Sequence, residues 1–187
     1  MQRRRNRGLS ALMQIARRAL HALLPKGPKP RVLRFGLAKG ATATIDFRYD
    51  TAFYFGLHEP WLHPFYRDIL KPGMKCFDVG MYRGWDALCI AVLTRSEVVS
   101  FDSDPQFLEV TEQFLAPSDT NIRLECSYIS DGQNGSATLD SFADKHFAPD
   151  FMKMDIEGGE LAALRGASCI LTVHKPSLVV ETHSVEL

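Results

Sequence analysis

Short apolar runs alternate with helical stretches along this chain from residue 75 onward, and this alternation constrains the fold more than any other feature. Apolar runs bounded by turn residues are typical of buried strands. Strands that alternate with helices favour a parallel, doubly wound, Rossmann-like α/β sheet. The pattern predicts strands at 75–79, 97–101, 122–129, 151–154 and 178–181, with helices at 85–94, 105–115, 157–165 and 166–172.

The residues before this alternation divide at a linker, Lys26-Gly27-Pro28-Lys29-Pro30. Residues 31–48 alternate in places, which predicts a small β-hairpin or lead-in strand. The apolar residues within 57–70 predict a helix over this segment, packed on the sheet. A length of 187 residues suits one domain, so we expect a single α/β domain over residues 31–187 and an extension over residues 1–30.

Charge is divided unevenly, although the formal net charge is zero. Residues 1–45 hold eleven Lys or Arg and no Asp or Glu, which leaves an acidic body. The extension has apolar residues at helical spacing, but Arg17 and Arg18 interrupt them, which excludes a transmembrane or secretory segment. It predicts a basic amphipathic helix, which either contacts a membrane surface through residues 1–25 or is a frayed or partner-docked segment. Nucleic-acid binding is disfavoured, because the basic stretch lacks interleaved aromatic residues.

The four cysteines show no C-x-x-C pair and mostly lie in or beside apolar runs. This usage predicts buried free thiols in a reducing compartment rather than a disulfide scaffold. We therefore expect a cytoplasmic protein, with peripheral membrane contact as an additional feature of the extension.

The first strand of the α/β region runs into a glycine loop, Asp78-Val79-Gly80-Met81-Tyr82-Arg83-Gly84. Ligands of doubly wound sheets bind at the carboxyl ends of the strands. The spacing lacks the middle glycine of the dinucleotide fingerprint, and Asp78 would repel a pyrophosphate while suiting the ammonium and sulfonium of S-adenosylmethionine. The loop therefore predicts S-adenosylmethionine as the cofactor, bound by Asp78, Gly80, Tyr82 and Gly84. The alternative to cofactor binding is that Asp78 accepts hydrogen bonds from backbone N–H groups of the loop. For Tyr82 and Arg83 the alternative is that they are solvated loop residues.

Two further positions at strand ends are candidates for contact with a nucleoside. Asp102 ends the second strand of the α/β region and is placed to accept hydrogen bonds from ribose hydroxyls; the alternative is a helix N-cap or near-cap before Pro105. Ser130 and Asp131 follow the third strand and are candidates for binding the adenine amine. A plain Asp-Gly turn explains them equally well.

Acidic residues gather after the fourth strand, in Asp155-Ile156-Glu157-Gly158-Gly159-Glu160. Asp155 is a candidate general base or orienting group for an acceptor hydroxyl. The alternative is capping of the next helix, with Asp155 at the N-cap. His183 follows the fifth strand and could take the acceptor proton or be a frayed residue. Asp155, Glu181 and His183 offer metal-ligand side chains, but no tight ligand spacing supports a metal site, so we predict none.

Several of these segments together carry a family resemblance, and the block from Lys153 to Ala167 is the most specific. The matching segments are Phe77-Asp78-Val79-Gly80-x-x-x-Gly84, Val99-Ser100-Phe101-Asp102-Ser103-Asp104-Pro105, Ser130-Asp131-x-x-x-Gly135, Thr138-Leu139-Asp140, Lys153-Met154-Asp155-Ile156-Glu157-Gly158-Gly159-Glu160-Leu161-x-x-Leu164-Arg165-Gly166-Ala167 and Pro176-Ser177-Leu178-Val179-Val180-Glu181. Over roughly residues 70–183 the chain resembles the FkbM-type methyltransferases.

The resemblance implies a class I methyltransferase fold and transfer of a methyl group, usually to an oxygen of a sugar or another natural-product hydroxyl. The chain departs from the family at Met81-Tyr82, where Ala-Asn is common, and at Asp102-Ser103, where Glu-Pro is common. A full class I sheet adds a final antiparallel hairpin beside the fifth strand. Here the sheet is expected to be C-terminally short, so that either an apolar strand edge is exposed or the residues before 75 replace the hairpin.

The sequence therefore predicts an S-adenosylmethionine-dependent methyltransferase, most consistent with O-methylation of a small hydroxyl-bearing metabolite. The alternative is a truncated, non-catalytic module that binds the cofactor or a partner. A dinucleotide oxidoreductase ranks third because of the glycine spacing.

Overall fold

The computed structural model describes residues 24–183, and a parallel sheet forms their centre. Its strands are β3 (Cys76–Val79), β4 (Val98–Asp102), β5 (Ile122–Cys126), β6 (Phe151–Met154) and β7 (Ser177–Val180). They are ordered β5-β4-β3-β6-β7, and every neighbouring pair is parallel. This confirms the predicted doubly wound sheet. The third predicted strand is shorter than expected, because it ends at Cys126.

A hairpin and two helices precede the sheet. Strands β1 (Lys29–Val32) and β2 (Thr42–Ile45) pair antiparallel as a separate sheet, which confirms the predicted hairpin. Helices α1 (Thr51–Tyr54) and α2 (His63–Ile69) follow. The helix predicted at 57–70 begins only at His63, where a proline occupies its first turn.

Four helices accompany the strands: α3 (Trp85–Thr94), α4 (Pro105–Leu115), α5 (Leu139–Lys145) and α6 (Glu160–Arg165). Helices α3 and α4 have the predicted bounds. Helix α6 starts three residues late because Glu157 and Gly158 have positive φ angles of 55° and 100°, which a helix does not accommodate. A π-helical turn over Ile170–His174 stands where a helix over 166–172 was predicted. Helix α5 was not predicted, although Thr138 caps it by accepting from the Ser141 N–H.

The two faces of the sheet bury different sets of side chains. Cys76, Val98 and Phe151 belong to a core shared with the hairpin, α2 and α3, whereas Phe77, Val99 and Met152 belong to a core on the opposite face with α5 and α6. Side chains of a strand alternate between faces. Asp78, Ser100 and Lys153 therefore lie on the first face, in a row that crosses paired positions of β4, β3 and β6.

Three other predictions concern the margins of the domain. Cys76 and Cys89 are buried as expected, but Cys126 and Cys169 are exposed, so the expectation of burial was wrong for this second pair. Residues 1–23, and with them most of the predicted extension, lie outside the described residues. No helix within residues 24–183 is long and apolar enough to cross a membrane.

The sheet ends at β7 within the described residues. The hairpin of β1 and β2 stands apart from the parallel sheet. It therefore does not replace the final class I hairpin beside β7. Of the two expectations, the described residues match an unpaired edge strand: no other strand pairs with the outer side of β7, whose residues are half-buried.

Candidate functional site

A cavity of about 550 Å³ opens at the carboxyl ends of β3, β4, β6 and β7. Small-molecule sites of doubly wound sheets occur at this position and at this size. Five of the predicted site residues line it: Gly80, Tyr82, Asp102, Asp155 and His183. The other four, Asp78, Gly84, Ser130 and Asp131, are not among its lining residues.

Gly80 has a φ angle of 101°, in the region that favours glycine. A Cβ at this position would overlap the backbone carbonyl oxygen of Asp155. The Asp155 N–H also donates to the Val79 carbonyl at 2.8 Å. Gly80 therefore allows the loops after β3 and β6 to meet.

Gly84 has a different structural role from the one predicted. It is the N-cap of α3 with a φ angle of 77°, and a Cβ would stand 2.6 Å from Thr111 Cγ2. Glycine is therefore needed for the turn into α3 and for close packing on α4. The residue lies outside the cavity.

Asp78 lies beneath the cavity rather than at its wall. Its side chain is fully buried, the Ser100 hydroxyl donates to its Oδ2 at 2.7 Å, and its Oδ1 has no partner among residues 24–183. Burial raises the pKa of Asp78 to about 7, although the positive charge of Lys153 acts to lower it. The strand's alternation directs this carboxylate under α3, so the cofactor's cations would have to meet other carboxylates.

Asp102 is fixed by backbone donors and still lines the cavity. Its Oδ2 accepts from the Tyr82 N–H at 3.3 Å, and its Oδ1 accepts from the Asp104 N–H at 3.0 Å. The N-cap of α4 is Asp104, whose side chain accepts from the Gln106 N–H. Since a carboxylate oxygen can accept more than one hydrogen bond, Asp102 retains capacity for ligand hydroxyls.

Aromatic side chains flank Asp102. Tyr82 and Phe107 pack edge to face with ring centroids 5.6 Å apart, and both line the cavity with Tyr128. Tyr82 has a φ angle of 44°, which is strained for a non-glycine residue. Its ring is half exposed, as needed for stacking on a planar ligand.

Arg83 is anchored rather than solvated. Its Nη2 donates to Asp50 Oδ1 at 2.7 Å, and Asp50 is buried. The interpretation of Arg83 as a solvated loop residue was therefore wrong. This ion pair ties the glycine loop to the N-terminus of α1.

Ser130 and Asp131 lie beside a separate surface depression. The Asp131 carboxylate accepts from the Gln133 N–H at 3.1 Å, as expected for an Asp-Gly turn. Because β5 ends at Cys126, the residues that reach the cavity are Ser127, Tyr128 and Ile129 instead. The structure therefore favours the turn interpretation for both residues.

Lys153 is a buried cation at the cavity floor that the sequence interpretation gave no role. Its Nζ lies 3.3 Å from Asp155 Oδ2 and 3.5 Å from Asp86 Oδ2. Burial alone would lower the pKa of Lys153, but the carboxylates of Asp86, Asp78 and Asp155 raise it above its ordinary value. A lysine inside the apolar strand Phe151–Met154 was the available signal, since buried lysines require partners.

Glu160 and His183 form a second contact, in which Glu160 is buried and His183 is exposed. Glu160 is fully buried and accepts from the N–H groups of Ile156 and Gly158, so it supports the turn before α6 from inside the fold. Its Oε1 also contacts His183 Nδ1 at 3.0 Å, so His183 is held in place. This hydrogen bond, followed by the charges of Glu157 and Asp155, raises the pKa of His183. The N-cap of α6 is Gly159, not Asp155.

The cavity carries a strong negative charge. Lys153 is its one lysine or arginine among the described residues, and the carboxylates around it are Glu59, Asp86, Asp102, Asp104, Asp155, Glu157 and Glu181. Such a site attracts cations and repels phosphates. S-adenosylmethionine fits these features, because it combines a cationic methionyl part with a ribose and a planar base.

Comparison with known proteins identifies a family domain in the C-terminal part of the chain. Residues 133–186 match the model of the methyltransferase FkbM domain, and this match includes the Lys153–Ala167 block. No curated protein matches the chain at a significant level. The resemblance to the FkbM-type methyltransferases is thereby confirmed over this segment.

Solved structures of methyltransferases share the fold. An rRNA methylase from Streptococcus thermophilus is 20% identical with a TM-score of 0.50, covering 67% of this chain and 71% of its own. A beta-aspartate methyltransferase (PCMT) from Plasmodium falciparum, in complex with S-adenosyl-L-homocysteine, is 15% identical with a TM-score of 0.50. The match covers 76% of this chain and 63% of that protein. The chain therefore has the class I S-adenosylmethionine-dependent methyltransferase fold.

A methyltransferase FkbM from Methylobacillus flagellatus KT also matches. It is 22% identical with a TM-score of 0.47, and the match covers 70% of this chain. The matched region spans 41% of the length of that protein.

Proposed function

We propose that this chain, which carries a match to the FkbM methyltransferase domain, is an S-adenosylmethionine-dependent O-methyltransferase acting on a hydroxyl of a sugar or another small metabolite. One observation carries the proposal. A single cavity joins Asp102 and its aromatic neighbours to the group of Lys153, Asp155 and His183. Asp102 ends β4 and Asp155 follows β6, two strands away, which corresponds to about 10 Å at the usual strand spacing.

The β4 side of the cavity would hold the cofactor. Asp102 would accept hydrogen bonds from the ribose hydroxyls, and Tyr82, Phe107 and Tyr128 would flank the base. The negative charge of the cavity would stabilise the methionyl ammonium. When bound, S-adenosylmethionine supplies an electrophilic methyl group on a sulfonium.

The β6 and β7 side would hold the acceptor. A hydroxyl that gains a methyl group must lose its proton, and Asp155 and His183 are the groups proposed to orient the hydroxyl and accept that proton. Lys153 holds one Asp155 oxygen at 3.3 Å, which leaves Oδ1 for the acceptor. Most of the rate enhancement would come from positioning.

The charge of the cavity also selects among acceptors. A phosphorylated sugar or a nucleic acid would bring further negative charge to Glu59, Asp86, Glu157 and Glu181. Neutral and amine-bearing hydroxyl compounds would not be repelled. The proposed acceptor is therefore a neutral or cationic small molecule, and nucleic acid is not proposed as a partner.

Calorimetry with S-adenosylmethionine, and with NAD as the competing cofactor class, tests the first half of the proposal. We expect heat of binding with the former only. Asp102→Asn removes the charge of the carboxylate, and we expect affinity to fall about tenfold or more, since hydrogen bonds to charged groups contribute about 1.5–3 kcal/mol. Asp131→Asn is the matched control, because Asp131 lies outside the cavity, and its affinity should be unchanged.

Transfer of a labelled methyl group to a panel of sugars and hydroxylated natural products tests the second half. Turnover that Asp155→Asn reduces, with cofactor affinity retained, supports the proposal. Absence of binding of S-adenosylmethionine would refute it. Binding without turnover on any acceptor would favour the non-catalytic cofactor-binding module instead.

A further inference from the structure

We infer that the ends of β6 and β7 form a divalent-cation site, with His183 Nε2 and carboxylate oxygens of Asp155 and Glu157 as its ligands. Sequence spacing did not predict it, because the ligands come from two strand ends that are adjacent only in the folded sheet. The site faces the cavity, which all three residues line.

The distances around His183 suit one shared ion better than direct contacts. Nε2 lies 3.6 Å from Asp155 Oδ1, 3.8 Å from Glu157 Oε2 and 3.9 Å from Glu181 Oε1. These separations exceed the usual hydrogen-bond length of about 2.7–3.2 Å. Ligands at about 2.1 Å from an octahedral ion stand about 3.0 Å apart in cis and about 4.2 Å in trans. The Asp155 and Glu157 distances lie between these two values, so a shared ion would draw the ligand atoms together by less than about 1 Å. Ligand atoms of Asp155, Glu157 and His183 lie within 4.8 Å of one another, whereas Glu181 is not part of this group.

The other ring nitrogen of His183 is already arranged as in a metal site. Metal-bound histidines usually donate their free N–H to a carboxylate, which fixes the tautomer. Here Nδ1 contacts Glu160 Oε1 at 3.0 Å, and Nε2 faces Asp155 and Glu157. This arrangement is the second shell expected of a ligating imidazole.

Glu160 gives a second, independent indication of a missing cation. Its side chain is fully buried and reaches into this cluster, and its Oε2 has no hydrogen-bond partner among residues 24–183. A buried carboxylate is costly unless a nearby charge compensates it. Two backbone N–H groups and His183 compensate Oε1. Lys153 contacts Asp155 and Asp86 instead, so a divalent ion beside His183 would add positive charge near the unpartnered Oε2.

The donor set indicates which ion. Two carboxylates favour a hard cation, and an imidazole favours a transition metal over Mg²⁺. Mn²⁺ satisfies both preferences. With the ion bound, His183 Nε2 would be a ligand and could not accept a proton, so the ion would bind the acceptor oxygen in place of that role. This use of the ion rests on the proposed function, but ion binding itself does not.

Titration of the full chain with Mn²⁺, followed by the EPR signal of the free ion and without cofactor or acceptor, tests the site. We expect one bound ion per chain and a nitrogen coupling from His183 in the pulsed EPR spectrum. His183→Ala should remove the coupling and weaken binding at least tenfold. Glu160→Gln should weaken it by about 10–100-fold through the second shell, with thermal melting to show that the variant is folded.

His58→Ala is the matched control, because His58, Glu59 and Asp86 form the other cluster in the described region with ligand spacing. It should leave the coupling and the affinity unchanged. Loss of binding in His58→Ala with retention in His183→Ala would overturn the assignment, as would the absence of any Mn²⁺ binding. Because these measurements use neither S-adenosylmethionine nor an acceptor, their failure would leave the calorimetric test of the proposed function intact.

Discussion

Asp78→Asn isolates the effect of burying an ionisable group under the cavity. The carboxylate is fully buried, and Ser100 is its hydrogen-bond donor. Asparagine keeps the size and an accepting oxygen but cannot ionise. The buried amide donors carry a cost of their own, which is the same at every pH. The informative quantity is therefore the pH dependence of the stability difference between the two proteins.

The direction follows from the raised pKa of Asp78, about 7 against an ordinary value of 3.8. Between these two values the folded chain retains a proton that the unfolded chain has lost, so the free energy of unfolding falls as pH rises. Above pH 7 both states are ionised, and the decline ends. One pKa unit corresponds to about 1.4 kcal/mol, so the wild type should lose on the order of 2 kcal/mol relative to Asp78→Asn between pH 5 and pH 8.

Urea unfolding of both proteins at pH 5, 6, 7 and 8 measures this difference directly. Asp119→Asn is the control, since it removes a carboxylate that is exposed and therefore has no burial cost. A stability difference that stays constant across this range would refute the reasoning. A wild type that gains on the variant as pH rises would mean that attraction to Lys153 outweighs burial.

Two further substitutions test the packing around the cavity. Gly80→Ala should destabilise the fold by about 2 kcal/mol or more, because the added Cβ would overlap the Asp155 carbonyl. Gly73→Ala is the control: Gly73 has a φ of 92° in open space, so this variant should lose only about 1 kcal/mol through backbone strain. Equal losses of the two variants in urea unfolding would contradict this explanation. Lys153→Met should cost about 3 kcal/mol or more by leaving Asp86 and Asp155 unpaired. Adding Asp78→Asn should recover part of that loss, and strict additivity in the double-mutant cycle would show that the two groups do not interact.

The strands and the long helices could be predicted because their signals are local. Helix α3 contains a continuous apolar run that is buried on most sides, whereas α4 carries an apolar face and Pro105 marks its first turn. The start of α6 could not be placed because it depends on the left-handed backbone at Glu157, which the buried Glu160 carboxylate supports from within the fold. Tertiary contacts decide such boundaries.

Site residues could be predicted only where a residue's position along its strand decides whether it reaches the cavity. Asp102 and Asp155 reach the cavity because each stands at a strand's carboxyl end. Asp78 shares that region of sequence but stands one residue earlier than Val79, on the face that α3 covers. The pairing of Lys153 with Asp86 joins β6 to α3, and no spacing along the chain signals a contact between elements so far apart.

The loops around the cavity are tied to one another, and this bears on how its two halves can work together. The Asp155 N–H donates to Val79, and the Glu181 N–H donates to Met154 at 2.9 Å, so the ends of β3, β6 and β7 continue their ladder into the loops. Gly80 permits the first of these contacts, while Arg83 fixes the same loop to Asp50 from the other side. A cofactor that contacts the β3 loop and an acceptor that contacts Asp155 would therefore meet one connected backbone. Substitutions in the glycine loop should change acceptor turnover as well as cofactor affinity, even where the altered residue touches neither molecule.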